Sequence, residues 1–597
     1  MPWHITGNHW LTLPCIHPVD GSIHAIGILH RGARSAIEFA GHDGFLEGAG
    51  PAFLRPALRV DGAALELAGE PMAWERALGW IPAFTCNVGT LMVRGTIFAP
   101  HGRDADMAGA VYAIVVENRG EKLVRITVSL EGVLGHRQQR VRTPRTFDDA
   151  HRVARAGADV IVIEGSALPG VVSLALAADG PVEIDTPDAG AADAAPGVEQ
   201  SAAIFAIRRE LTIEPGAREH AAFYLAAGPE QDGARATVAI MQRRGWRALL
   251  GATRDALQAL EQTTGHAGID MLINRNLLFA YFCAVGRALD DAHYYLVRSR
   301  IPWHSRGVTV RDWEALTWVV PAVQLADAPL ARELLLRACE LHGYAPGRGA
   351  HYMDGTLFEP GFSLEGAASY AIAVDRYIRE TGDDQVVDEP VLADTLYLSA
   401  DDLAGRRNEG FPLYSTEVNP AGQPVPHPFT LHGNAVVAQA LEVLRRTLDE
   451  ESSREVEDPE AVRAALARHF SVERNGKTAL ASSIDLAGAL ATDDDPAASA
   501  LWLPLYEAVA RHDSLYRRTV KGLGAEPRYL AQQCARLLGP DAAAVLEWVR
   551  RAPLDGGLAA ELVTSGGKAI ANGGDASLAG LLAWCTWYAI HALGVRP

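Results

Sequence analysis

EPGFSLEGAASYAIAVDRYIRETGD, residues 359–383, passes from an irregular Pro/Gly loop into a helix. Ser363 has the side chain of an N-cap, because its hydroxyl can accept a hydrogen bond from a first-turn N–H that lacks an intrahelical partner. Ala367, Ala368, Ala371, Ile372 and Val374 make the helix mostly apolar, and Thr381-Gly382-Asp383 marks its end. Glu365 falls in the first helical turn, beside a loop that carries Tyr352, Phe358 and Phe362. A carboxylate on a rigid helix next to aromatic side chains is a candidate catalytic group. The helix dipole alone also explains an acidic residue there, and it favours the ionised form, which works against a proton donor. A general acid at neutral pH needs burial or a second carboxylate to overcome that effect.

Working outward, the helical character extends over the whole second half. Ala236–Gln262 reads as one or two connecting helices and Ile269–Leu289 opens a series. Further helices are expected near 311–327, 329–342, 386–406, 432–449, 459–470, 497–511, 527–538, 541–551 and 575–593. No fixed repeat length runs through them, so a closed toroid of paired helices suits the pattern better than a solenoid. The loops at 301–314, 343–355, 409–429 and 561–575 are long and rich in aromatic, charged and glycine residues, beyond what closing a bundle requires.

The first 230 residues have the periodicity of strands. Val111–Asn118 (VYAIVVEN) and Val124–Leu130 (VRITVSL) are β-branched runs joined by RGEKL, a hairpin-like connection. Residues 91–98, 160–163, 171–177, 202–207 and 221–225 read as further strands, and many short strands between turn residues indicate an antiparallel β-sandwich. PDAGAADAAPGVEQ (187–200) reads as a mobile loop between strands. The expected organisation is a β-sandwich domain over 1–232, linker helices over 233–267 and a helical domain over 268–597, with the sandwich packed on the toroid.

Composition narrows the function classes. The 597 residues are 48% hydrophobic and 21% charged, as in an ordinary enzyme with large cores. A net charge of −19 argues against a nucleic-acid partner, since phosphate binding needs clustered Lys and Arg. No apolar run is long enough to cross a bilayer, and MPWHITGNHWLTLPC lacks the pattern of a signal peptide. The six cysteines lie far apart with no CxxC, as buried thiols of a cytoplasmic protein do. The twenty histidines are scattered, and the near pairs His4/His9 and His427/His432 read as loop residues, so no metal and no cofactor is expected. GxGxxG, GxxxxGK[ST], HExxH and GxSxG are all missing. Assembly into a homo-oligomer is left open.

Glycosidic bond cleavage needs two carboxyl groups flanking the bond, one to protonate the leaving oxygen and one to activate water or attack the anomeric carbon. Glu365 is a candidate for the first. Glu561, in GGLAAELVTSGG, is a candidate for the second, with Glu417 in YSTEVNP as the alternative base and Asp312 and Glu314 as alternative acids. Trp303, Arg311, Asp312 and Trp313 offer aromatic faces and charged forks suited to a sugar ring, and Tyr352 adds a further aromatic. Arg311 and Asp312 could equally form a structural ion pair, with both tryptophans in the core.

The helical half resembles the (α/α)6-barrel glycosidases, particularly the amylo-1,6-glucosidase domain of glycogen-debranching enzymes and glucoamylase-like relatives. The likeness rests on SRGVTVRDWEALTWVVPAVQLADAPLARELL (305–335), FSLEGAASYAIAVDRYIRETGD (362–383) and GGLAAELVTSGGKAIANGGDASLAGLLAW (556–584). The resemblance implies an exo-acting, inverting glycoside hydrolase with a carbohydrate substrate, Glu365 as general acid, Glu561 as general base, and Arg311 and Asp312 in the innermost sugar subsite. Glu365 stands where that family usually has Asp, and Asp575-Ala576-Ser577-Leu578 stands in place of its usual Gln-Ala-Trp-Ser. A glycoside phosphorylase and a non-catalytic sugar-binding protein are the competing readings, with Ser565-Gly566-Gly567-Lys568 as the hint of an anion pocket.

Overall fold

A computed structural model describes residues 3–65, 67–146, 151–165, 172–186, 202–474, 476–521, 523 and 528–596, so the loop expected over 187–200 lies outside the described residues. The chain divides into two units: Met1–Glu261 with Val285–Tyr294 and Arg300–Val308, and Gln262–Ala284 with Tyr295–Ser299 and Thr309–Pro597.

The first unit is built from antiparallel sheets of six, eight and five strands. Gly109–Asn118 lies in the middle of the eight-stranded sheet, between Leu91–Phe98 and Arg218–Gly228. Val124–Leu134 lies in the middle of the five-stranded sheet, between Ala203–Ile213 and Leu54–Val60. The sandwich expected from the strand pattern is therefore present, but the expected hairpin is not. The two successive strands pair in different sheets, and residues 119–123 form a corner. Asn118 explains the corner: its fully buried amide donates to the carbonyls of Lys122 and Ile213 and accepts from the Gly120 N–H, satisfying backbone groups that a ladder would otherwise pair. Phe39, Phe53, Phe84, Ile114, Val128 and Phe205 belong to one apolar core shared by the three sheets. Gln231–Arg244 and Trp246–Leu260 complete this unit and join at Gly245.

In the second unit, inner and outer segments alternate. Among the described residues the inner ones are Asp312–Ala326, Leu364–Thr381, Leu431–Thr447, Ala500–Tyr506, Leu530–Leu537 and Ala576–His591. Each packs on the next, and the last packs back on the first, closing the toroid. The outer segments Ala267–Cys283, Ala328–His342, Pro390–Ala404, Pro459–Phe470, Ser514–Val520 and Ala542–Arg551 pack outside them. Two departures from the sequence reading fall in the inner ring. The helix expected over 497–511 is a short 3₁₀ segment, Ala500–Tyr506; Pro504 lies inside it and has no N–H to donate. The segment after Asp312 contains a π-helical turn, Ala315–Val319, a form often found near functional sites. Among the described residues, no helix is long and apolar enough to cross a membrane.

Candidate active site

Glu365 occupies the helix start that its sequence context announces. Ser363 caps Leu364–Thr381, accepting from the Gly366 N–H at 3.3 Å, and its hydroxyl donates to Glu365 Oε2 at 3.0 Å. On the other side, His432 Nδ1 lies 2.9 Å from Glu365 Oε1. Both side chains are 1% exposed. Gly433 makes this approach possible, since a Cβ there would stand 3.2 Å from Glu365 Oε1 and 2.6 Å from Thr430 Oγ1. His432 lies in the first turn of Leu431–Thr447, not in a loop as its sequence neighbourhood implied. Trp313 and Tyr506 stand edge-on to its ring, each with a centroid separation of 5.7 Å, and 6.0 Å from each other. Glu365 is thus deeply buried, and the imidazole it bonds is met edge-on by two aromatic rings. Burial raises the Tyr506 hydroxyl above its usual pKa, so it stays protonated.

The loop around Glu417 is tied to the same helix start. Glu417 and Val418 N–H both donate to the Phe362 carbonyl, and Thr416 Oγ1 accepts from the Leu364 N–H. Glu417 itself accepts from Arg406 at 2.9 Å and from the Phe362 N–H at 3.0 Å. Those two donors, the guanidinium foremost, hold its half-exposed carboxyl below the usual range and so ionised. Glu561, half-buried, lies on Ala560–Val563, the central strand of a three-stranded sheet with Arg528–Tyr529 and Ala569–Gly573. That sheet packs on Leu530–Leu537 and Ala576–His591.

The Arg-Asp pair diverges. Arg311 donates to Glu359 Oε2 at 2.7 Å, whereas Asp312 Oδ1 lies 3.3 Å from His342 Nδ1. Burial opposes ionisation of Asp312, but hydrogen bonding and charge from His342, with His351 beyond it, keep its carboxyl below the usual range. Burial pulls His351 down to about 4, so this imidazole is neutral. Asp312, His342 and His351 each present a ligand-capable atom within 4.8 Å of the others, a grouping that no sequence spacing signalled. Glu314 and Asp575 converge on Arg298, all buried, and Asp575 also caps the last helix through the Leu578 N–H. Tyr352 stands edge-on to Phe358 at 5.0 Å, in the turn between Arg348–His351 and Leu357–Phe362. Trp303 belongs to the first unit, packed against a core of Trp3, Cys15, Ala25, Ala40 and Phe45. His432 and Tyr506 were missed in the sequence, since neither has a motif around it.

No family model matches the chain, and no curated protein does. Solved structures do. A bacterial glucoamylase complexed with acarbose aligns with a TM-score of 0.61 at 11% identity, over 98% of this chain and 94% of its own. A protein provisionally named a kojibiose phosphorylase, from the human microbiome, aligns with a TM-score of 0.59 at 10% identity, over 98% of this chain and 86% of its own. The chain therefore has the glucoamylase-like fold, an antiparallel sandwich plus a helical toroid. Which activity that fold carries here is a question for the site.

Proposed function

We propose that the protein is a carbohydrate-active enzyme, an exo-acting glycoside hydrolase that works by inversion with Glu365 as general acid. The observation that carries this reading is the Glu365 carboxyl itself: 1% exposed and bonded to Ser363 and to His432, whose ring Trp313 and Tyr506 meet edge-on. A general acid needs a carboxyl fixed on a rigid element to hand its proton to the glycosidic oxygen, and that is the role assigned to Glu365. Glu561 is assigned the base, with Glu417, already ionised by Arg406, as the alternative. Arg311, Trp313 and Tyr352 are assigned to sugar binding, whereas Asp312, buried and turned to His342, is not. Inversion requires the base to stand about 6.5–9.5 Å from the acid, leaving room for one water.

The test is a panel of disaccharides and aryl glycosides assayed with Glu365→Gln, Glu561→Gln and Glu417→Gln. Glu365→Gln should lower kcat on a disaccharide by roughly 10²–10⁴-fold. It should lower it far less on a dinitrophenyl glycoside, whose leaving group needs no proton. Loss of that leaving-group dependence would remove Glu365 from the acid role. Whichever of the other two variants loses turnover identifies the base, and NMR of fresh product reads the anomeric outcome. The similarity to a structure named as a phosphorylase supports a second reading, in which phosphate replaces water. Turnover that depends on inorganic phosphate and yields a sugar phosphate would select it.

A further inference from the structure

Three buried side chains of the second unit meet where no hydrogen-bond ladder accounts for them. Asp312 opens an inner helical segment, His342 ends the outer helix Ala328–His342, and His351 ends the strand Arg348–His351. Reciprocal backbone bonds between Val310 and His351, at 2.9 and 2.8 Å, fix that strand beside the approach to Asp312. None of the three side chains is more than 3% exposed. The imidazoles of His342 and His351 stack at 4.7 Å with 16° between their planes. His342 Nε2 and His351 Nδ1 are both buried without a hydrogen-bond partner in the protein, and the Tyr370 hydroxyl turns to Asp312. Buried polar atoms are nearly always paired, so two unpaired imidazole nitrogens beside a buried carboxylate call for a bound species.

We propose that Asp312, His342 and His351 bind one divalent transition-metal ion of the zinc type. Two imidazoles and a carboxylate are a set that zinc and its first-row neighbours accept, whereas calcium and magnesium prefer all-oxygen shells. The ligand-capable atoms lie within 4.8 Å of one another. Metal bonds of about 2.1 Å in a tetrahedron place ligands about 3.4 Å apart, so side-chain adjustments of an ångström or so close the shell. The third protein ligand leaves a fourth position, and the Tyr370 hydroxyl faces Asp312 from the next inner helix. Such an ion ties one inner helix start, one outer helix end and one strand together, and so anchors Trp313 in its place beside His432. The site is argued from these side chains alone and does not rest on the hydrolytic reading.

The test uses the untagged full chain, stripped with a chelator, incubated with ZnCl2, gel-filtered and analysed by ICP-MS. About one equivalent should be retained, and the thermal midpoint should rise on adding Zn2+ and fall again with chelator. The double variant His342→Gln/His351→Gln should retain about a tenth of that or less. Because that variant can fail to fold, the wild type loaded with Co2+ supplies a second reading: intense visible d–d bands of a low-coordinate N/O site are expected. A wild type that retains no stoichiometric metal, a Co2+ spectrum identical to the aqueous ion, or a folded double variant that binds as much as wild type would each overturn the proposal. None of these readouts is turnover, so inactivity on every glycoside would leave the proposal standing and bear only on the hydrolase reading.

Discussion

Replacing His432 by leucine should cost turnover without abolishing substrate binding, and replacing it by asparagine should restore most of the loss. His432 Nδ1 stands 2.9 Å from Glu365 Oε1, and both groups are 1% exposed, so water cannot take the place of the imidazole. Leucine fills a similar volume and leaves the carboxyl its hydrogen bond from Ser363 at 3.0 Å. A hydrogen bond to a charged or proton-sharing group in such a site is worth about 1.5–3 kcal/mol. Where that bond orients the acid in the transition state, kcat falls by roughly 10- to 150-fold. Asparagine carries a δ-nitrogen at the place of the imidazole Nδ1 and can remake the bond. The assay is initial-rate sugar release from the best substrate of the panel, with KM and kcat separated, and circular dichroism to show that each variant is folded. KM should move by less than about threefold. The reasoning is refuted if the folded leucine variant turns over as fast as wild type while Glu365→Gln is inactive. In that case Glu365 needs no help from His432. It is refuted equally if asparagine is as poor as leucine, because the effect would then be one of shape.

Gly433→Ala adds a methyl group 3.2 Å from Glu365 Oε1 and 2.6 Å from Thr430 Oγ1; although alanine favours a helix by about 1 kcal/mol over glycine, kcat should drop at least about tenfold at near-normal thermal stability, and an unchanged kcat would show that the carboxyl tolerates displacement. Gly349 has a φ of 81° and an added Cβ would meet the Glu359 carbonyl at 1.9 Å, so Gly349→Ala should destabilise the second unit by about 2–4 kcal/mol, read as a fall in its denaturation midpoint. Asp20 is held down to about 2: burial opposes this, but hydrogen bonds from His17 and Ser22 outweigh it. Its folded value lies below the ordinary 3.8, so its stabilisation is complete above pH 3.8 and is lost as pH falls toward 2. With its side chain 26% exposed, Asp20→Asn should cost about 1–2 kcal/mol at pH 7. The difference in melting temperature should stay constant down to about pH 5, fall to about half near pH 3 and nearly close by about pH 2; a gap that stays undiminished at about pH 2 would show that the carboxylate charge is irrelevant.

What the sequence disclosed follows the range over which each signal acts. The cap at Ser363, the apolar face behind it and the stop at Gly382 are all written within twenty residues, and the helix Leu364–Thr381 forms as expected. The strands Leu91–Phe98 and Gly109–Asn118 are likewise local, and runs of β-branched and apolar residues between turn residues find them. Their partners are not local. Nothing in VYAIVVENRGEKLVRITVSL distinguishes a hairpin from a corner, because a short Gly-containing connection between two β-branched runs serves either. The decision rests on Asn118, whose amide is useful only once Ile213, 95 residues away, is beside it. The site repeats that lesson. Glu365 is legible because a helix start is a local event, but His432 lies 67 residues on and joins it through tertiary packing alone.

Arg311 and Asp312 show the same limit from the other side. Adjacent in sequence, they invite a shared role, yet they leave the chain in different directions, one to Glu359 and the other to His342. Residues at the first turn of a helix point to opposite sides within one or two positions, so adjacency predicts divergence there as readily as pairing. Asp312, His342 and His351 become a unit only because an outer helix ends, a strand ends and an inner helix starts at one level of the toroid. In such a toroid, inner helix starts recur with every helical pair, and each is a place where side chains from two loops and two helices can meet. A carboxylate at such a start acquires its chemistry from whichever neighbour the next pair supplies: an imidazole for Glu365, two for Asp312, and a guanidinium for Glu314 and Asp575. The four acids share a position in the fold and differ in their partners, and in the roles proposed above it is the partner that sets apart one proton donor, one cation ligand and two acids that hold helices together.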